Sequence, residues 1–406
     1  MRERLLIPLK KLLSLPKNNI VAVILVMLYV LAILKNIGAG GSIALATERE
    51  GSNFAKKIVF SDGLTKYHYT LAELALMRDR EVEETAPEDT VRCMDPAYLS
   101  YQLHKLAEKV NIPTQDAKLY LDEQGWFQVK PEQEGRELDL SLLITKLANP
   151  GLYQEVYELP FKKIVPKVTS QYIEERLPVN LWSQFTTTLV NNPDRTENVR
   201  VASKQLDALV IPPGQEVSFN KVVGPRIKER GYREAKVIVG GRFEPGLGGG
   251  VCQVSSTLYN TLLLAGLEIK ERHNHSVRIA YVPLGRDATV VYGLKDLKFI
   301  NNTESFLLIR TRLVGLELTI SLYGAKKPFT SVEMETKVIK TLPFKEVLVD
   351  GDLQQGQQRK VIEKGQHGYL VETYRLLTFN QEKKRELVSK DYYAPMHMLV
   401  AVRNTP

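Results

Sequence analysis

Residues 246–269 read GLGGGVCQVSSTLYNTLLLAGLEI, and the fold of the central part of the chain turns on this stretch. Gly248, Gly249 and Gly250 do not suit a helix interior, where each glycine costs about 1 kcal/mol relative to alanine. A helix is therefore expected to start at or near Cys252. Val251, Val254, Leu258, Leu262 and Ala265 then fall at the i, i+3, i+4 spacing of a buried helical face. Gly266 supplies the C-terminal stop.

A cysteine in the first turn of a helix sits over N–H groups that lack intrahelical acceptors, at the positive end of the macrodipole. Both favour the thiolate over the thiol and so make the sulfur a nucleophile. The preceding glycines let the backbone approach a substrate closely. Their amides, with the N–H of Cys252 or Gln253, can form an anion-binding nest. Gly249, Gly250 and Gln253 are accordingly candidate substrate-binding positions. A tightly packed glycine turn around a small buried cysteine is the plainer alternative.

The chain continues as LEIKERHNHSVRIAYVPLG over 267–285. If 269–281 is one strand, Ile269, His273, His275, Val277, Ile279 and Tyr281 share a face. Both imidazoles then point inward, toward the preceding helix. A helix-start cysteine facing a histidine on the next strand is the arrangement of papain-like enzymes, in which the histidine is first base and then acid. Asp287 and Asp296 are candidates for the carboxylate that orients such a histidine, with Asp287 slightly preferred. Arg272 and Arg278 fall on the opposite face, where either could meet a substrate carboxylate. Other readings stay open: His273, His275 and Cys252 could bind zinc, though no fourth ligand is evident. One or both histidines could instead be hydrogen-bonded core residues at a bend around Asn274. No metal or other cofactor is expected. Ser255, Ser256 and Thr257 are expected to bond back to their own helix backbone.

A chain of 406 residues is long enough for two to four domains. Its two cysteines, Cys93 and Cys252, are too few for a disulfide framework and form no C-x-x-C pair. Cys93 reads as inert. The net charge of +8 suits an anionic neighbourhood such as wall polymer or anionic lipid. No basic stripe interleaved with aromatics is present, so no nucleic-acid partner is expected.

Residues 20–34, IVAVILVMLYVLAIL, are uncharged and preceded by Arg2, Arg4, Lys10, Lys11 and Lys17 against the single acid Glu3. The positive-inside rule turns this into a cytoplasmic stub and transmembrane signal anchor over 1–40, leaving the bulk outside a cell membrane crossed once. The run is short for a span. A cleaved signal peptide with Ala44-Leu45-Ala46 as its site, or a buried core helix, would be the alternatives.

Over 50–168 the apolar spacing predicts helices at 71–84 and 96–110. It then predicts strand, turn at Gln124-Gly125, strand, turn at Gly135 and helix across 117–147. Over 332–406 the period becomes two, with glycines at turns, which predicts a small all-β module. The expected fold class is thus α+β and multidomain. It comprises an N-terminal transmembrane helix, a small α+β module, a central α+β catalytic domain (180–325) with its cysteine at a helix N-terminus, and the all-β module. His68, His104, His367 and His397 are assigned no chemistry.

In order along the chain, PGQEVSFNKVVGP, RGYREAKVI, GGGVCQVSSTLYN, AGLEIKERHNHS, YVPLGRDATVVYG and DLKFINNT resemble the VanW domain. Residues 50–168 loosely resemble a peptidoglycan-binding module, and 332–406 resemble the G-five module of bacterial surface proteins. The resemblance implies a cell-envelope role, with peptidoglycan stem peptides and glycan strands as partners. Some proteins with this domain are credited with L,D-transpeptidase activity, in which the motif cysteine is acylated. Cys252 would then form a thioester on the third residue of a stem peptide, which a second stem resolves into a 3–3 cross-link. Hydrolysis of that thioester, as in a carboxypeptidase or endopeptidase, or a non-enzymatic wall-binding scaffold, are the competing functions.

Overall fold

The computed structural model describes residues 56–80, 89–93, 95–148, 154–239, 242–351, 353, 357–379 and 382–402. The expected membrane span at 20–34 lies outside them. Among the described residues no helix is long and apolar enough to cross a membrane. The expected balance of helix and strand is also corrected: the described residues form twenty-four strands and six α-helices and are mainly β. Part of the difference lies in the helix expected at 71–84, whose described residues, 71–80, form no α-helix. Ala72–Leu74 makes one 3₁₀ turn, Ala75 takes a left-handed φ of 51°, and Leu76–Arg80 runs on as a strand paired with Asp89–Cys93. Leu71, Leu74 and Leu76 are all buried by this route. The Glu73 carboxylate accepts from the Thr70 amide (2.6 Å) and hydroxyl (2.9 Å) across the turn.

The chain divides into two compact units. One draws on residues up to Gln115 and on Gln133–Pro166. Helices α1 (Pro96–Val110) and α2 (Leu140–Ala148) contribute Leu99, Leu103, Leu106, Leu143 and Leu147 to its core, against Ile58 and Phe60 of the strand Lys57–Ser61. Asp95 caps α1 by accepting from the amides of Ala97 and Tyr98, with Pro96 in the first turn, the chemistry favoured at a helix start.

The other unit takes Asp116–Glu132 and everything from Lys167. Its central sheet is antiparallel, in the order β1 (Asn180–Thr188), β4 (Glu317–Gly324), β3 (Leu307–Val314), β2 (Leu209–Ile211). Across it lies α4 (Val251–Leu264), with α3 (Pro193–Lys204) packed alongside. Val254, Leu258 and Leu262 are fully buried, as the spacing predicts. The polar residues of α4 are buried too, so each needs a partner. Thr261 donates to the Ile320 carbonyl (3.0 Å), Thr257 pairs with Thr187 (2.8 Å) and Ser183 donates to the Thr261 carbonyl (2.8 Å). Ser256 and Thr257 also bond back to the carbonyls of Cys252 and Gln253, as expected.

From Ser331 the fold is all strand. β5 (Ser331–Leu342), β6 (Gly368–Phe379) and β7 (Glu382–Tyr393) form one antiparallel sheet in that order. Glu346–Asp350, Met398–Val402 and Arg359–Glu363 form a second. The first sheet closes on the central domain. Arg375 of β6 donates to the carbonyls of Leu267 (2.8 Å) and Leu263 (3.4 Å), beyond the last turn of α4. The amide of Ala394, just past β7, donates to the Ser276 carbonyl at 2.7 Å.

Candidate functional site: a cysteine–histidine–aspartate line

Val251 opens α4, so Cys252 lies in its first turn, as the glycine run predicts. Gly250 is the N-cap at φ 112°, a conformation that side chains with a Cβ rarely adopt. Gly249 is required for another reason. A Cβ there would come within 2.7 Å of the backbone of Ala235 and Lys236, while its carbonyl accepts from Asn198 at 3.0 Å. Part of the expected anion nest is spent within the protein: the Gly248 amide donates to the Arg233 carbonyl and the Gln253 amide to the Gly250 carbonyl. The Gln253 side chain is likewise committed. It donates to Thr187 (3.2 Å) and to the Thr188 carbonyl (3.0 Å), and accepts from Arg195 at 3.1 Å. It ties α4 to β1 and holds Arg195.

The strand expected over 269–281 is shorter: only Glu268–Glu271 pairs, with Lys298–Ile300. Beyond it, side chains take over the bonds that a sheet ladder would make. The Asp287 carboxylate accepts from the His275 amide at 2.6 Å, and Asn274 donates to the carbonyls of His275 (2.8 Å) and Tyr392 (2.7 Å). The two histidines part as a result. His273 turns outward, 40% exposed, and pairs with Glu271 at 3.0 Å. His275 turns inward and is 4% exposed. Its Nδ1 lies 2.6 Å from Asp287 Oδ2, and the imidazole is near enough to Cys252 for each to shift the proton affinity of the other, while the Cys252 thiol donates to the Val290 carbonyl at 3.6 Å. Because Nδ1–H is directed to Asp287, Nε2 is the nitrogen left to exchange a proton with the thiol.

Asp296 lies elsewhere, accepting from Ser218 (2.5 Å) and the Asn220 amide (2.9 Å). Arg272 is not an open ligand for substrate. Its Nε donates to the Asp287 carbonyl (2.6 Å), Nη2 to Asp287 Oδ1 (3.1 Å) and Nη1 to Asp391 of β7. It braces the aspartate. Among the described residues no group of three or more His, Cys, Asp or Glu side chains is placed to hold a metal ion.

The electrostatics favour a charged pair. Burial alone would keep the thiol neutral, but the hydrogen bond and positive charge of His275, with Arg226 nearby, bring Cys252 below the ordinary thiol value. Burial likewise opposes the imidazolium. The Asp287 and Cys252 partners outweigh it, and His275 is pushed up to about 9. Asp287 follows the same logic: burial raises it, while His275, Arg272 and Tyr393 hold it below the usual carboxylate range. Each partner thus favours the charged form of the other, which draws the shared proton toward the imidazole and the sulfur toward thiolate.

Several neighbours had no local sequence signal. Arg226 has one guanidinium nitrogen, Nη2, buried without a hydrogen-bond partner. Tyr281 lies near Cys252 and Ser256, and burial first, then the Cys252 charge, push its phenol well above the ordinary value; it remains a donor. Tyr393 donates to Asp287 Oδ1 at 2.5 Å across 106 residues of sequence, a separation that no periodicity could bridge.

The class is therefore a β-rich protein carrying a Cys–His–Asp line at a helix N-terminus. Residues 194–323 match the family model described as "VanW like protein", and 333–402 match the G5 domain model. The chain carries a VanW-like domain followed by a C-terminal G5 domain. It is 40% identical over 168 residues to the uncharacterized protein YoaR of Bacillus subtilis, covering 41% of this chain and 55% of that protein. It is 29% identical over 145 residues to the vancomycin B-type resistance protein VanW of Enterococcus faecalis, covering 34% and 53%. The chain thus spans about half the length of these curated relatives. Among solved structures, the IgA1 protease G5 domain is 26% identical and matches 19% of this chain and 93% of its own, at a TM-score of 0.14. The HP0197 G5 structure is 17% identical, matching 18% and 99% at 0.11.

Proposed function

We propose that this is a cell-wall-associated cysteine acyl-transferase acting on peptidoglycan stem peptides, of the L,D-transpeptidase type. One observation carries the reading: Asp287 holds the buried His275 imidazole by Nδ1 at 2.6 Å, and that imidazole bears electrostatically on Cys252 in the first turn of α4. Similarity to the vancomycin B-type resistance protein VanW supports the wall association, and the G5 domain agrees with it. A packed scaffold would have no need to keep a thiolate–imidazolium pair in its interior, because burying charge is costly.

In the proposed reaction the Cys252 thiolate attacks the carbonyl carbon of the third stem residue. The tetrahedral adduct collapses to a thioester as the bond to the terminal D-alanine nitrogen breaks, and His275 gives that amine its proton. The side-chain amine of a second stem then attacks the thioester, loses a proton to His275, and leaves an amide cross-link with the thiolate restored. Tyr281 O–H and the Cys252 amide are the donors that could meet the transient oxyanion, since the Val251 and Gln253 amides are bonded to the Gly248 and Gly250 carbonyls. Water in place of the amine would give the hydrolytic variant from the same intermediate.

The test is incubation of wild type and Cys252→Ala with purified muropeptides bearing tetrapeptide stems. The wild type is expected to form 3–3 dimers and to gain an acyl adduct on Cys252 by mass spectrometry, and Cys252→Ala to do neither. Equal dimer yields from the two proteins would defeat the reading; adducts that release only shortened stems would select hydrolysis.

A further inference from the structure

The G5 domain enters the thiol site. The phenol of Tyr393, the last residue of β7, is 1% exposed and donates to Asp287 Oδ1 at 2.5 Å, while accepting from the Gly285 amide at 2.9 Å. Asp391, two residues earlier, pairs with Arg272, whose guanidinium also reaches Asp287 Oδ1 and the Asp287 carbonyl. Ser389 holds the second oxygen of Asp391 at 2.7 Å. At the loop itself, the Tyr392 carbonyl accepts from Asn274 and the Ala394 amide binds the Ser276 carbonyl. His275 lies between these two anchors.

We infer that Tyr393 and Asp391 of the G5 domain are positioning residues of the thiol site. They lock the Asp287 carboxylate so that Oδ2 faces both the amide and Nδ1 of His275. The inference rests on the Cys252–His275 reading and extends it. Asp287 can stabilise an imidazolium only while ionised and correctly turned. A buried carboxylate short of one donor is less stable as an anion and free to rotate. Removing the Tyr393 hydroxyl leaves Arg272 alone on Oδ1, so the imidazolium weakens and the thiol rises toward its ordinary value. Other charged and titratable groups bear on this line: Tyr259 of α4, under the Arg272 guanidinium at 5.2 Å, Tyr281 after His275, Arg226 beside Cys252, and, one step further out, Arg195 near Tyr281 and Arg375 of β6 near Tyr259.

The experiment follows alkylation of Cys252 by iodoacetamide against pH in the full chain, read by peptide mass spectrometry. The proteins are wild type, His275→Ala, Tyr393→Phe and Tyr392→Phe. Tyr392 is 57% exposed and serves as the control on the same strand. Tyr393→Phe is expected to move the acid limb up by about one pH unit, slowing modification roughly tenfold at pH values well below the wild-type limb, as loss of a bond to a charged group implies. Tyr392→Phe should overlay the wild type. A limb that is unmoved or lowered in Tyr393→Phe overturns the inference. Should that variant not fold, Asp391→Asn decides. It leaves Arg272 less neutralised beside a second cation, so the limb should move the same way by a smaller amount, and no movement again overturns the inference. The two readings fail differently. A wild-type profile of an ordinary thiol, unchanged by His275→Ala, removes the Cys252–His275 pair itself. A depressed profile sensitive to His275 but not to Tyr393 or Asp391 removes only the role of the G5 domain.

Discussion

The opposite shifts of Cys252 and His275 bear on how folding responds to pH. In the unfolded chain a histidine titrates near 6.5 and a cysteine near 8.5. In the fold the histidine is raised to about 9 and the cysteine is lowered. Between roughly pH 6.5 and 8.5 the proton that His275 keeps and the one that Cys252 gives up early act in opposite directions on stability and offset one another. Above that window the unfolded state has lost its protons while His275 keeps one, and stability falls as pH rises through about 9. Below it the unfolded state holds two protons, and stability falls as pH drops through the depressed cysteine value. Asp287, also depressed, adds to the acid loss as pH falls through its folded value. Chemical denaturation across pH is expected to show stability falling as pH rises through about 9 in wild type, and Cys252→Ala should flatten that alkaline fall. A second expectation at this scale concerns Gly249. The backbone of Ala235 and Lys236 leaves no room for a methyl group, so Gly249→Ala should lower stability by about 2 kcal/mol in denaturant titration. At this scale Cys252 was legible from sequence, because a glycine run, a helix start and a thiol form a local pattern. The choice between His273 and His275 was not, since it depended on side-chain bonds from Asp287 and Asn274 rather than on a strand period.

Among the elements, α4 was the most legible. Its apolar spacing, its start beside Cys252 and its stop at Gly266, which takes φ 70°, are all short-range signals. What lay hidden was that its polar side chains are equally buried and bond to β1, β4 and the loop at 286–288, as when Asn260 Nδ2 donates to the Arg286 carbonyl at 2.7 Å, though its Oδ1 is buried without a partner. The failed helix at 71–84 teaches the converse. Leucines spaced for a helix are also spaced to bury through a turn and strand when a residue such as Ala75 reverses the chain. The element-scale prediction concerns the C-terminal end of α4. Arg375 is nearly buried, bonds the carbonyls of Leu267 and Leu263 and pairs with Glu386 at 2.5 Å. Arg375→Ala leaves a carboxylate and two carbonyls short of a donor, and should cost about 2 kcal/mol, read as a drop in the denaturation midpoint. A change within 0.5 kcal/mol (about the scatter of an ordinary surface substitution) would show that the contact contributes little.

For the molecule as a whole, the two units interleave along the chain. The hairpin of Lys118–Leu121 and Phe127–Lys130, with its turn at Gln124-Gly125 as the sequence predicts, belongs to the second unit although residues on either side of it belong to the first. Turn and strands were readable locally; the unit they join was not, because burial of Leu119 beside Ile173 and Phe306 is a long-range fact. The charge of +8 acts at this scale. If wall polymer is the partner, cosedimentation with purified sacculi should weaken as salt is raised from 50 to 500 mM (on the order of a fall in screening length from about 14 to 4 Å). Binding indifferent to salt would point to sugar contacts alone.

The contact of Tyr393 with Asp287 has a consequence for how such chains recombine. A crossover between residues 325 and 331 would look harmless, since it falls between two domains that match separate family models. Yet the newcomer module would have to arrive with a tyrosine, an aspartate and an arginine in register with Asp287, Arg272 and the end of α4. Shuffling at that seam is therefore expected to be permitted only between partners that already share these positions, and a synthetic graft of the thiol centre would have to carry β6 and β7 with it.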